Sequence, residues 1–138
     1  MRCKQFFWSI LLVISLVSCS PDEDIPYESI IFEPPSWIIG AWDNEDPEAF
    51  TETLIFTEIN IVSEFKDGST LDYSQSIAPN RDNTIIEEVA TDNEYSIIVR
   101  VSFPDGEELV FTNTFKKTSL TSLTVYDNLQ EIGTFVKR

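Results

Sequence analysis

The chain has 138 residues and a formal net charge of −15, with 9 basic residues against 24 acidic ones and no histidine. A surface of that sign repels phosphate backbones, which excludes nucleic acid as a partner. Without histidine, neither Ser-His-Asp or Cys-His catalysis nor the common histidine-containing zinc sites can be built. Hydrophobic residues make up 42% of the sequence, enough for the core of one domain.

Arg2 and Lys4 open the chain, residues 6–17 form an apolar run broken only by Ser9 and Ser15, and Leu16-Val17-Ser18-Cys19 follows. A dozen apolar residues fall short of the roughly 20 that a membrane-spanning helix needs, so the pattern is that of a signal peptide over residues 1–18 that is removed. Leu-Val-Ser-Cys resembles the lipobox of bacterial lipoproteins. The resemblance implies that Cys19 is acylated, becomes the first residue of the mature chain and anchors it to a membrane. Two or three acyl chains, each buried methylene adding about 0.8 kcal/mol, hold a protein stably where one does not. Cys3 falls in the leader, so a mature chain has Cys19 as its single sulfur nucleophile and no disulfide. It also has seven basic residues against the same 24 acidic ones, a net charge of −17.

Residues 19–35 are predicted to be the lipidated cysteine and an acidic disordered tether. They carry Asp22, Glu23, Asp24, Glu28 and Glu33, prolines at 21, 26, 34 and 35, and no sustained periodicity. Ser-Pro-Asp-Glu-Asp directly after Cys19 reads either as solvated linker or as a tract similar to the acidic export signal of surface-exposed lipoproteins. Ser20 after the cysteine resembles the pattern of lipoproteins sent to the outer membrane.

From residue 36 to 138 the texture changes to short runs of Ile, Val, Phe, Tyr and Thr, separated by Asp-Gly, Asp-Asn and Pro-Asp clusters every eight to twelve residues. This is the pattern of an antiparallel all-β domain. The predicted strands are 37–43, 53–58, 60–66, 70–77, 84–90, 94–103, 107–116, 120–126 and 131–137. Around Pro104-Asp105-Gly106, a three-residue loop pairs Val101 with Leu109, Val99 with Phe111, Ile97 with Asn113 and Tyr95 with Phe115, making one face apolar. A four-residue loop splits that face, so Gly106 is expected to be the left-handed residue of a bulged turn. Lys66-Asp67-Gly68 repeats the chemistry and pairs Ser63 with Leu71 and Ile61 with Tyr73. The register of the last hairpin, across Asp127-Asn128-Leu129-Gln130, stays open.

Eight or nine strands joined in sequence without helical crossovers close into a small antiparallel meander barrel or fold as a β-sandwich. Closure removes the sticky edges. At the head of the domain, Gly40-Ala41-Trp42 resembles the first-strand Gly-x-Trp motif of lipocalins and related (calycin-type) barrels. The resemblance spans residues 37–138 and is nearest to compact lipocalin-like domains of bacterial lipoproteins. It implies that Trp42 plugs one end of the barrel under a basic side chain of the last strand, Lys137 or Arg138, with Arg100 a weaker candidate. A plain core aromatic is the other reading of Trp42.

Carboxylates are the remaining acid–base groups. Asp43, Glu45, Asp46 and Glu48 share a loop that lacks the alternating ligand order of a calcium loop. Glu87-Glu88 and Glu107-Glu108 are strand neighbours pointing to opposite faces, which makes them poor catalytic pairs. No phosphate-cradling glycine loop occurs, and neither an enzyme nor a cofactor or metal site is expected. The expected function is a membrane-anchored, outer-membrane lipoprotein whose barrel binds a small apolar or amphipathic ligand among Tyr95, Ile97, Val99, Val101, Leu109, Phe111 and Phe115. The alternative is a filled barrel or sandwich serving as a protein-interaction or structural module of the envelope.

Overall fold

A computed structural model describes residues 30–77 and 82–138. The predicted leader, Cys19 and the tether up to residue 29 lie outside the described residues. Nine strands form: β1 (Gly40–Asn44), β2 (Thr51–Phe56), β3 (Ile61–Phe65), β4 (Thr70–Asp72), β5 (Thr84–Ala90), β6 (Glu94–Ser102), β7 (Glu108–Lys117), β8 (Ser122–Asp127) and β9 (Gln130–Lys137). One helical turn, α1 (Tyr73–Ile77), follows β4. All nine strands belong to one curled antiparallel sheet in the order β4-β3-β2-β1-β9-β8-β7-β6-β5. The fold is thus all-β and barrel-like. The sandwich alternative does not hold, because the described residues contain no second sheet.

Chain neighbours pair throughout except at one place. β1 and β9 are hydrogen-bonded side by side, with Trp42 opposite Lys137 and Asn44 opposite Phe135. The meander is therefore joined through its first and last strands, and its open seam falls between β4 and β5. Among the described residues no strand pairs with the outer edge of either.

The register of β6 and β7 is the one that gathers the apolar side chains. Val101 faces Leu109, Val99 faces Phe111, Ile97 faces Asn113 and Tyr95 faces Phe115. The Phe103 amide donates to the Glu107 carbonyl at 2.8 Å, and Gly106 has φ +89°, a conformation that costs a side-chain-bearing residue roughly 1–2 kcal/mol. The β3–β4 hairpin pairs Ser63 with Leu71 across Gly68 at φ +81°. The last hairpin is a two-residue turn, with Asp127 opposite Gln130, and Asn128 and Leu129 both at positive φ. A bulge follows between Val125 and Tyr126, which is why no uniform register could be read from the facial pattern.

Two expectations are corrected. The predicted strand 70–77 stops at Asp72, and Tyr73 enters α1 instead of pairing with Ile61. The Asp72 carboxylate accepts from the Gln75 amide at 3.0 Å and from the Ser74 hydroxyl at 2.7 Å, an N-cap that starts a helical turn. At the other boundary, residues 30–35 belong to the packed domain. Phe32 is fully buried in the main core cluster, and Ile30 packs against it. The Phe32 amide donates to the Ile59 carbonyl, and the Glu33 amide to the Glu88 carboxylate, both near 3.0 Å. This strap crosses from the β2–β3 turn to the inner face of β5 and so spans the seam at one end of the barrel. Pro34 and Pro35 keep it extended before the turn at 36–38, which is why β1 begins at Gly40 and not at Trp37.

The core lies at the strap's end. Phe115 meets Phe56 edge-on at 5.0 Å and stacks with Tyr95 at 6.0 Å, while Trp42, Phe32, Ile38 and Phe135 are fully enclosed. Removing Phe32 opens a cavity beside this cluster. Phe32→Ala is expected to lower unfolding stability by about 3–5 kcal/mol, measured by urea denaturation. A loss below about 1 kcal/mol would show that the strap is not part of the core.

Candidate functional site

An antiparallel meander puts alternate turns at opposite ends. The turns after β2, β5 and β7 gather at the strap's end. The loops and turns after β1, β3, β6 and β8 gather at the other end, with the seam running between.

At the strap's end sit the residues of the Gly-x-Trp element. The Trp42 indole N–H donates to the Ile38 carbonyl at 2.7 Å, and the Lys137 ammonium lies over the ring, 5.1 Å from its centroid. Such a contact contributes about 0.5–1 kcal/mol beside solvent. Gly40 makes room for it. At φ +127° it adopts a backbone conformation that side-chain-bearing residues rarely take, and a Cβ there would stand 3.2 Å from Lys137 Cε. Arg138 turns instead to the outer surface, where its guanidinium grips Asp43 at 2.6 and 3.0 Å and reaches the Thr53 hydroxyl at 3.3 Å. The hydrogen bonds from Arg138 hold the Asp43 carboxyl below its ordinary value of 3.8 against the opposing effect of burial. Arg100 is far from Trp42, lying between Glu87 at 3.7 Å and Glu108 at 3.9 Å.

The remaining acidic clusters are engaged locally. Asp46 accepts from the Glu48 amide, and Glu48 pairs with Lys66 at 2.9 Å. Glu88 faces inward from β5, opposite Glu87, and accepts from the Tyr95 hydroxyl and the Glu33 amide. Burial pushes the Tyr95 phenol far up, and the hydrogen bond and charge of Glu88 push it further, so the phenol stays protonated as the donor. Among the described residues no group of three acidic or thiol side chains is arranged to hold a metal ion. No described helix is long and apolar enough to cross a membrane.

The apolar face of β6 and β7 changes character along its length. Tyr95, Ile97 and Phe115 are buried, yet Leu109 is 50% exposed and Phe111 45%, since β4 and β5 do not pair across the seam and no other described segment covers this half of the face. The result is a cleft of about 420 Å³ at the end away from the strap. Leu71 of β4 and Tyr73, Ser76 and Ile77 of α1 form one wall. Thr84, Val99, Val101 and Phe111 of β5 to β7 form the other, with Asn113 and Asp127 at the base. A second space of about 170 Å³, lined by Leu54, Phe115 and Val125 and also by Thr51, Ser63 and Ile132, shares Leu71, Tyr73, Asn113 and Asp127 with it, so the two are adjacent. Burial raises the Tyr73 phenol's pKa and the nearby negative charge of Asp127 adds to the effect, partly offset by a hydrogen bond with Ser63.

The sequence placed Val99, Val101 and Phe111 on this face but missed the opposite wall, since Tyr73 and Ile77 were read as strand. Asp72-Tyr-Ser-Gln75 has the N-cap and N3 spacing of a helix start and was the available signal. It also missed the polar base. Asn113 faces Ile97 within an otherwise apolar row, and it pairs across β7 and β8 with Asp127.

Lipid attachment at Cys19 lies outside the described residues. No protein-family model, curated protein or solved structure matches the chain. The class that the coordinates define is therefore structural: a nine-stranded, barrel-like antiparallel meander, joined through its terminal strands and open along one seam.

Two measurements check this geometry. Gly40→Ala is expected to cost about 1–3 kcal/mol in urea, and less when Lys137→Ala has already relieved the close contact. A penalty unchanged by Lys137→Ala would assign it to backbone strain alone. Because folded Asp43 has a depressed pKa, the Arg138 pair stabilises above the unfolded carboxylate's pKa, and that contribution is lost as pH falls through the folded one. Asp43→Asn should thus lower the melting temperature slightly at pH 7, the pair being solvent-screened, and the gap to wild type should close as pH falls below the ordinary carboxylate range. A gap that persisted at pH 2 would assign the loss to something other than the ion pair.

Proposed function

We propose that the protein is a lipocalin-like binding module, held to the outer membrane by acylation at Cys19, that takes a small apolar or amphipathic molecule into the seam cleft. The observation that carries this reading is the cleft itself. Its size falls within the roughly 300–1,000 Å³ common for small-molecule sites, and its lining is mostly apolar with a few convergent polar groups. A sheet of this length could have filled the space with its own side chains. It instead leaves Phe111 and Val101 facing open volume, while the strap's end is packed solid.

The Gly-x-Trp element at the closed end, with Lys137 over Trp42, supports the lipocalin-like reading. The strap gives the module an orientation. Ten residues lie between Cys19 and Ile30, which joins the barrel at its closed end, so the acyl anchor would reach that end through a span of at most about 40 Å. The cleft opens at the other end, away from the anchored side.

A second reading, a non-catalytic protein-interaction module of the envelope, is favoured by the apolar side chains around the open end. Leu129 is 87% exposed on the β8–β9 turn, and Phe103 and Leu109, by the β6–β7 turn at the same end, are half-exposed.

Val101→Trp fills the cleft from β6 and separates the two readings. Binding of an environment-sensitive apolar dye should fall at least tenfold in this variant while its fold, followed by circular dichroism, is retained. A dye response that survives the substitution rejects the cleft as the site. Cys19→Ser should abolish incorporation of a labelled fatty acid and release the protein from the membrane fraction; retention of the label would remove the anchor.

A further inference from the structure

The lining of the cleft is uneven in charge. Its walls are mostly aliphatic and aromatic, with the neutral hydroxyls of Ser76 and Thr84 among them, and the one formally charged side chain in the lining is the Asp127 carboxylate at the end of β8. No lysine or arginine lines either part of the space among the described residues. Asp127 has no ion-pair partner among the described residues. Its cross-strand neighbour Asn113, half-buried on the same inward face, has no side-chain hydrogen-bond partner among them either. Tyr73 completes the group with a phenol that burial and Asp127 keep protonated. A carboxylate, an amide and a phenol thus line the boundary that the cleft shares with the second space.

Resting on the ligand-binding reading above, we infer that this cleft selects amphiphiles with a cationic head, an ammonium or amine on an aliphatic tail, over those with an anionic head. Three features argue for it. A tail that fills the apolar walls brings its head to that boundary, where a positive charge is compensated by Asp127 and hydrogen-bonded by Asn113. A carboxylate or sulfate in the same place faces Asp127, and no cation among the described residues that line the cleft offsets that repulsion. Around the site the field acts in the same direction, since the chain after Cys19 has 24 acidic residues against seven basic ones and draws cations toward it.

The test is calorimetric titration of the full-length protein with dodecylammonium, dodecanoate and dodecanol, each below its micelle-forming concentration. Dodecylammonium should bind at least tenfold more tightly than dodecanoate. Asp127→Asn should weaken dodecylammonium about fivefold and narrow the gap, with dodecanol unaffected. Asp127 is exposed in the unliganded protein, so this variant should melt with the wild type, and a matched melting curve confirms that it does. Arg81, four residues beyond the cleft-lining Ile77, lies outside the described residues; Arg81→Gln should leave the order of the three amphiphiles unchanged. Equal or tighter binding of dodecanoate, or a preference unaltered by Asp127→Asn, overturns the charge selectivity and leaves the binding site standing. Failure of all three amphiphiles to bind overturns both.

Discussion

The pairing of β1 with β9 is the constraint on which the rest of this molecule depends. In an up-and-down meander each hairpin fixes only its own two strands, and the sheet remains an open ribbon until something joins distant parts of the chain. Here that joint lies between the first and last strands, over Trp42 to Asn44 and Phe135 to Lys137. It is reinforced at both faces: Lys137 crosses Trp42 within, Arg138 clasps Asp43 without, and the Arg138 amide donates to the Ala41 carbonyl. Since the termini are used for closure, the unavoidable gap moves to the middle of the sequence. It falls between β4 and β5, where β4 is only three residues long and the chain turns helical.

Each end treats that gap differently, and the difference produces the site. At one end the strap crosses it, burying Phe32 and presenting the Glu33 amide to Glu88. An inward carboxylate on an edge strand is costly unless satisfied, and it also discourages another chain from adding to that edge. The strap and Tyr95 satisfy it, so one arrangement protects the edge and seals the core. At the other end no equivalent segment is present among the described residues. The apolar row of β6 and β7 runs on into the open with its side chains unmatched, and α1 places Tyr73 and Ile77 opposite them. Tyr73 touches both regimes: its ring meets Phe32 of the strap edge-on at 6.4 Å, and its other side lines the cleft.

Local rules made the β architecture legible in the sequence. Two Asp-Gly turns fix the β3–β4 and β6–β7 registers, because a one-residue slip would turn every apolar side chain to solvent. What stayed hidden depends on long-range partners. Phe32 ends a short apolar triplet, Ile30-Ile31-Phe32, set among acidic residues and prolines and too brief to read as a strand; its burial is decided by Ile59 and Tyr73, more than 25 residues away. The α1 turn was masked by strand-like composition, although Asp72 and Gln75 carried its capping signature. The β8–β9 register was hidden by a bulge, which breaks the two-residue period on which such readings rely. The contrast between a packed end and an open one could not be read at all, since the alternation of β6 and β7 runs through both ends alike, broken only at Asn113.

That uniformity makes the exception informative. A sheet selected for stability alone would continue the inward row of β7, Leu109, Phe111 and Phe115, with another apolar residue at position 113, where Asn113 instead breaks it. On β8 the inward row of Leu123 and Val125 likewise ends in Asp127. Both polar residues fall on the same rung, directly opposite each other. One of them on an apolar face is a minor irregularity that solvent near the barrel mouth can satisfy. Two on one rung, lining the cleft beside a buried phenol, place hydrogen-bonding capacity and a negative charge next to walls that are mostly apolar. On the proposed reading, a molecule with a tail and a polar head meets both requirements with one orientation, tail along Val99, Val101 and Phe111 and head toward the rung. The seam that chain closure made unavoidable is where such a molecule can enter.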